Sequence, residues 1–224
     1  MPDTHPGRTT AKTGSWTEYL TEWRERTIPP RFRRLDTGRI HQGFRPVYNR
    51  VVESFKTEEP IGALLCGDVG KGKTSVLWML AYELMLVHAR SGLSPLGEWE
   101  SNCRFVDYFQ LQIILREFYE RGRGESSRAI AGSASVPEVG WRRYLFIDDL
   151  GAGFEDKAGW NLSLLQQLIN YRYEHCLPTY ITTNKTLEEL DAMAGWSRIV
   201  DRLRDKNWMI TAVASSGESM RRTK

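Results

Sequence analysis

What the sequence is short of narrows the field first. Only three of its 224 residues are cysteine, Cys66, Cys103 and Cys176, and no two stand at a metal-ligand spacing. That excludes a disulfide framework and a zinc module, and suits reduced, buried thiols in a cytoplasmic protein. No apolar run approaches the roughly 20 residues a membrane helix needs, and no signal peptide is recognisable. No internal repeat is evident. Net charge is small, +3, but unevenly spread. Residues 1–50 hold ten Lys/Arg against five acids. That excess suits an acidic partner such as nucleic acid, and equally a plain solvated basic surface.

What is present includes 41% apolar and 11% aromatic residues, enough for a sizeable core in one α/β domain. The sequence is organised around Gly67-Asp68-Val69-Gly70-Lys71-Gly72-Lys73-Thr74-Ser75. This is glycine, four residues, then Gly-Lys-Thr: the phosphate-binding P-loop, or Walker A pattern. Gly67, Gly70 and Gly72 let the backbone turn tightly and approach phosphates closely. The main-chain N–H groups form an anion nest at a helix N-terminus. Lys73 can reach the β/γ-phosphates and the Thr74 hydroxyl can bind Mg²⁺. The flanks agree: Ile61–Cys66 reads as a buried parallel strand, and Ser75–Arg90 as a largely buried helix.

Along the rest of the chain, Met1–Ser15 is polar and expected to be disordered. Trp16–Thr27 places Trp16, Tyr19, Leu20 and Trp23 at helical spacing, for docking on the domain itself or in a partner's groove. Ile28-Pro29-Pro30 stops that helix. Arg31-Phe32-Arg33-Arg34 could grip a nucleic-acid backbone and stack a base. His41–Phe55 is expected to be helical, Ser91–Asn102 a loop, and Cys103–Asp107 a strand. Phe109–Arg121 is expected to be a helix with Leu111, Ile114, Leu115 and Phe118 inward, and Gly122–Pro137 a mobile segment. Tyr144–Ile147 and Tyr180–Thr183 read as strands around a Trp160–His175 helix. Short helices over Leu187–Met193 and Trp196–Arg204 precede a last strand over Trp208–Val213. The alternation predicts a mainly parallel five-stranded sheet between two helical layers, with a basic N-terminal extension over 1–45 and the nucleotide-binding domain over 46–224.

Three further signals bear on chemistry. Tyr144-Leu145-Phe146-Ile147-Asp148-Asp149 is an apolar strand ending in acids, the Walker B pattern; the plainer alternative is an Asp-Asp turn. Asp148 would hold Mg²⁺ opposite Thr74, and Asp149 would orient and deprotonate the attacking water. Asn184, at the end of Pro178-Thr179-Tyr180-Ile181-Thr182-Thr183, either positions that water near the γ-phosphate or caps the helix starting near Thr186. Asn184-Lys185 begins a guanine-specificity pattern, but residue 187 is Leu, so adenine is preferred. Arg198 and Arg202 share a helix face. One of them either reaches a neighbouring subunit's γ-phosphate or pairs with Asp201 and Asp205 on an exposed face.

Taken together, Gly67–Thr74, Phe146–Gly151, Tyr171-Arg172-Tyr173 with Pro178–Asn184, and Arg198–Leu203 resemble the DnaC/IstB-like branch of AAA+ ATPases. Gly217-Glu218-Ser219-Met220-Arg221 is similar to that family's terminal Ser-x-Arg region. The resemblance spans about Ile28 to Arg221. It implies an ASCE-type P-loop core without a large lid domain, with Asn184 as sensor 1 and Arg202 as the arginine finger, Arg198 being the second choice. It also implies ATP with Mg²⁺, assembly into a ring or spiral, single-stranded DNA, and a replicative helicase or transposase as client. Family loaders carry a helicase-binding module ahead of this core, and transposition helpers an extension of their own. Here the Trp16–Thr27 helix and the basic segment precede it. The first expectation is therefore a DnaC-like helicase loader. The others are an IstB-like transposition helper, a nucleotide-gated adaptor with incidental turnover, and a small P-loop kinase.

Overall fold

A computed structural model describes residues 15–57, 59–124, 138–152 and 160–214. Its centre is a five-stranded sheet: β1 (Gly62–Gly67), β2 (Cys103–Asp107), β3 (Tyr144–Leu150), β4 (Thr179–Thr183) and β5 (Met209–Ala214). The spatial order is β2-β3-β4-β1-β5, and every pairing is parallel. All five therefore present their C-terminal ends on one edge. Loops leaving that edge form the crevice in which an open parallel sheet binds ligands.

The strands are apolar on both faces, as a sheet covered twice requires. Ala63, Leu65, Tyr144, Phe146 and Tyr180 face one core, and Leu64, Cys66, Leu145, Ile147 and Ile181 the other. The first core is closed by α1 (Trp16–Thr27), α2 (Arg45–Ser54), α3 (Lys73–Arg90) and α4 (Pro95–Asn102). An aromatic ladder crosses this face of the sheet through Phe105, Phe146 and Tyr180, with Trp78 stacked on Phe105 at 3.9 Å between centroids. Elements covering the second core are α5 (Tyr108–Gly124), α6 (Glu138–Trp141), α7 (Trp160–Glu174), α8 (Leu187–Asp191) and α9 (Ser197–Leu203).

Helix α1 docks on its own domain. Leu20 and Trp23 are buried, and the Trp23 ring meets Trp99 and Tyr82. Trp16, read as part of that stripe, is instead exposed. Ser15, expected in a disordered tail, caps α1: its hydroxyl accepts from Glu18 N, and Glu18 Oε2 accepts from Ser15 N. Residues 1–14 lie outside the described chain, as do 125–137 of the Gly122–Pro137 segment and all of Gly217–Arg221.

Three further expectations needed correcting. Ser91–Asn102 is not all loop. Ser94 caps α4, Pro95 opens it, and Trp99 pins it to the first core. The proline and glycine that argued for a loop stand in the first turn, where the proline's missing N–H costs nothing. Helix α2 starts at Arg45 rather than His41, because 41–44 form a turn. Phe118 is 37% exposed, so the inward stripe of α5 is Leu111 and Leu115, with Ile114 half-buried.

Candidate nucleotide site

The loop between β1 and α3 is shaped by its glycines. Gly67, Gly70 and Gly72 all have positive φ, at 153°, 88° and 81°. Gly67 has a second reason: a Cβ there would lie 2.4 Å from the Ala214 carbonyl oxygen of β5. The loop thus folds back against the neighbouring strand and leaves its amides free of side chains. Lys73, the first residue of α3, is only 5% exposed. Its Nζ donates to the carbonyls of Gly67 at 2.6 Å and Asp68 at 2.9 Å, and to Asn184 Oδ1 at 2.7 Å. Burial lowers its pKa below the usual lysine value, against the pull of Asp149, Asp148 and Asp68.

Opposite the loop, β3 ends irregularly. Its pairing with β4 shifts register between Ile147 and Leu150, and Asp149 takes φ 56°, in the left-handed region that non-glycine residues rarely occupy. The bulge turns two consecutive carboxylates to one edge. Thr182 holds the bend: its hydroxyl accepts from Asp149 N at 2.9 Å and donates to Asp148 Oδ1 at 2.5 Å. Thr74 Oγ1 lies 3.1 and 3.0 Å from the two Asp148 oxygens. Asn184 Nδ2 donates to Asp149 Oδ1 at 3.2 Å. Burial pushes the Asp148 carboxyl above its ordinary value, Asp149 adds to the rise, and the two threonine hydroxyls and Lys73 oppose it.

Asn184 therefore sits between the two Walker segments, because β4 lies between β1 and β3. It is not a helix cap. Thr186 caps α8 in a reciprocal box with Glu189. Lys73, Thr74, Asp148, Asp149 and Asn184 form one hydrogen-bonded constellation together with Thr182, which the sequence reading did not assign. The candidate arginines lie elsewhere. Arg202 and Arg198 are on α9, and Arg202 Nη1 donates to the Arg198 carbonyl at 3.0 Å and meets Asp201 at 3.3 Å. Asp205 accepts instead from the Tyr173 hydroxyl.

The constellation opens into a cavity of about 460 Å³. One wall is Val69, Gly70, Gly72, Lys73, Thr74 and Ser75, with Met79, Asp149 and Asn184. The other is Arg31, Phe32, Arg34, Asp36 and Arg39. Sequence reasoning set this segment aside for nucleic acid and missed its place at the cavity. The signal that could have found it is Phe32 four residues after Ile28, both apolar in a polar stretch and both packed on the first core. Arg33 differs from its neighbours, fastening the segment to α1 through the Glu25 carboxylate and the carbonyls of Glu25 and Ile28.

The backbone as a whole superposes on solved structures. A proposed primosome component from Streptococcus pyogenes serotype M3 superposes with TM-score 0.56 at 22% identity, over 90% of this chain and 97% of that one. The DnaC helicase loader gives TM-score 0.55 at 20% identity, over 83% and 99%. The chain has the fold of the DnaC-like AAA+ proteins. A replication initiator, DnaA bound to AMPPCP and single-stranded DNA, matches this AAA+ fold with TM-score 0.58 at 16% identity, over 87% of this chain and 53% of that one. No protein-family model matches the chain, and no curated protein does either. In this AAA+ fold no described helix is long and apolar enough to cross a membrane.

Proposed function

We propose that the chain binds ATP with Mg²⁺ in the 460 Å³ cavity and hydrolyses it, as a DnaC-like helicase loader acting on single-stranded DNA. The observation that carries this reading is the unbroken connection Lys73–Asn184–Asp149 beside Thr74–Asp148. Main-chain amides of 67–74 and the Lys73 ammonium take the phosphates, with the α3 dipole behind them. A hydroxyl and a carboxylate, Thr74 and Asp148, are hard oxygen donors that fit Mg²⁺. Among the described residues no group of three or more His, Cys, Asp or Glu is arranged to hold a metal ion by itself; phosphate and water would complete the set around Thr74 and Asp148. The bound ion would neutralise charge building on the transferring phosphoryl group.

Asp149, the exposed carboxylate of the pair, accepts the proton of the attacking water, and Asn184 orients that water from its neutral amide. Phe32 and Met79, which line the cavity, would offer apolar contact to the base end of the nucleotide. Arg202, outside its own chain's cavity, acts on the nucleotide of a neighbouring copy. Likeness of fold to the DnaC helicase loader and to DnaA bound to AMPPCP and single-stranded DNA supports the replicative setting.

Asp149→Asn tests the chemistry. It should retain binding of a fluorescent ATP analogue within about threefold while lowering turnover by about 10²–10⁴, the range expected for loss of a general base. Turnover unchanged in that variant removes Asp149 from the mechanism.

A further inference from the structure

The cavity wall over 31–39 has little regular structure of its own. It is built on two short 3₁₀ helices, Pro30–Phe32 and Thr37–Arg39, and the Asp36 carboxylate between them accepts from Gly38 N at 3.0 Å. Phe32 and Leu35 pack against the first core but are only half-buried. Fixing such a stretch costs conformational entropy, which ties from outside it must offset. Two arginines outside the cavity lining supply them. At one end, Arg33 Nε donates to the Ile28 carbonyl at 2.8 Å, Nη2 to the Glu25 carbonyl at 2.6 Å and Nη1 to the Glu25 carboxylate at 2.8 Å. A half-exposed ion pair alone is worth little; the carbonyl contacts matter more. Glu25 stands in the last turn of α1, and the residue four on is Pro29, which has no N–H to give its carbonyl. Arg33 takes that place, so one guanidinium closes α1 and fastens the wall to it. At the other end, Arg45, the first residue of α2, donates through Nη2 to the Thr37 carbonyl at 2.9 Å and reaches the Gly38 carbonyl at 3.4 Å. The wall is thus strung between α1 and α2.

We propose that Arg33 and Arg45 are positioning residues of the nucleotide site: they hold the 31–39 wall in place for the base end of the nucleotide without touching it. The inference rests on the reading above that ATP occupies the cavity, and adds residues outside the cavity that set its affinity. A wall held in advance lowers the ordering cost that binding otherwise carries. It also links α1 to the site. A ligand that touches the wall steadies α1 by the same free energy that docked α1 lends to binding. The phosphate end is indifferent to these ties, because Lys73 opens α3 and the loop amides follow β1.

The experiment compares ligands with and without a base. Full-length wild type, Arg33→Met and Arg45→Met are titrated calorimetrically with a slowly hydrolysed ATP analogue and, separately, with inorganic triphosphate, each with Mg²⁺. Each variant should weaken the analogue at least about fivefold, the scale of lost preorganisation at one end of a ligand, and shift triphosphate by less than about twofold. Arg26→Met, which breaks the exposed pair with Glu22 on α1, should alter neither. Arginines that only stabilise the fold give a different result: the melting temperature falls, while both ligands weaken together or neither does, and that overturns the positioning role. Hydrogen exchange adds a readout that needs no variant. In the wild type the ATP analogue should slow exchange of the α1 amides and triphosphate should not; no slowing by the analogue overturns the link to α1. A wild type that binds both ligands equally tightly has no use for the wall, which overturns this inference and leaves the phosphate site standing; one that binds neither overturns the site itself.

Discussion

Asp148 is where stability and chemistry pull apart. Its carboxyl is raised above the ordinary 3.8, chiefly by burial. Between the unfolded and folded values, the folded chain keeps a proton that the unfolded chain has lost. Stability therefore falls as pH rises through that window, and stays lower above it. Asp148→Asn removes the buried charge and keeps the shape. Near neutral pH, without nucleotide, this variant should melt above wild type, and the gain should shrink as pH approaches 3.8 from above. The same variant should lose Mg²⁺-dependent turnover. Thermal melts across a pH series check the sign; a variant that melts below wild type at neutral pH contradicts it.

Elements show what a sequence does and does not make visible. The strands were legible because a sheet covered on both faces needs short apolar runs, and Cys103–Asp107 stands within the limits read from the sequence. The acids of Asp148-Asp149 were legible, but the bulge that aims them was not: it depends on Thr182 of another strand. Helix α4 was hidden because its proline and glycine mimic a turn. The cavity wall at 31–39 was hidden because only tertiary packing brings it to the P-loop. Helix α1 tests how far such packing reaches. Trp23 is fully buried against Trp99 and Tyr82, so Trp23→Ala should cost about 3–5 kcal/mol in denaturant unfolding. A cost under about 1 kcal/mol would mean that α1 detaches without consequence for the core.

At the scale of the whole molecule, the cavity and the candidate finger occupy different parts of one chain. The sheet order explains why: β4 brings Asn184 inward between the Walker segments, and the chain then carries α8 and α9 away over the second core. A finger so placed should make specific activity rise with protein concentration, and Arg202→Ala should keep nucleotide affinity while losing about 10³–10⁵ in turnover. Mixing Arg202→Ala with Asp149→Asn should restore part of the activity, because one interface in the mixture would carry both intact groups. No recovery on mixing, with activity per chain independent of concentration, would indicate a self-sufficient monomer. Central to all of this is a triphosphate held by Lys73. The most direct measurement is calorimetric titration of the wild-type chain and Lys73→Ala with ATP analogue and Mg²⁺. Wild type should bind one nucleotide per chain and the variant at least about a hundredfold more weakly, as expected for loss of a charge-assisted contact in a closed site; equal binding by the two would contradict the account.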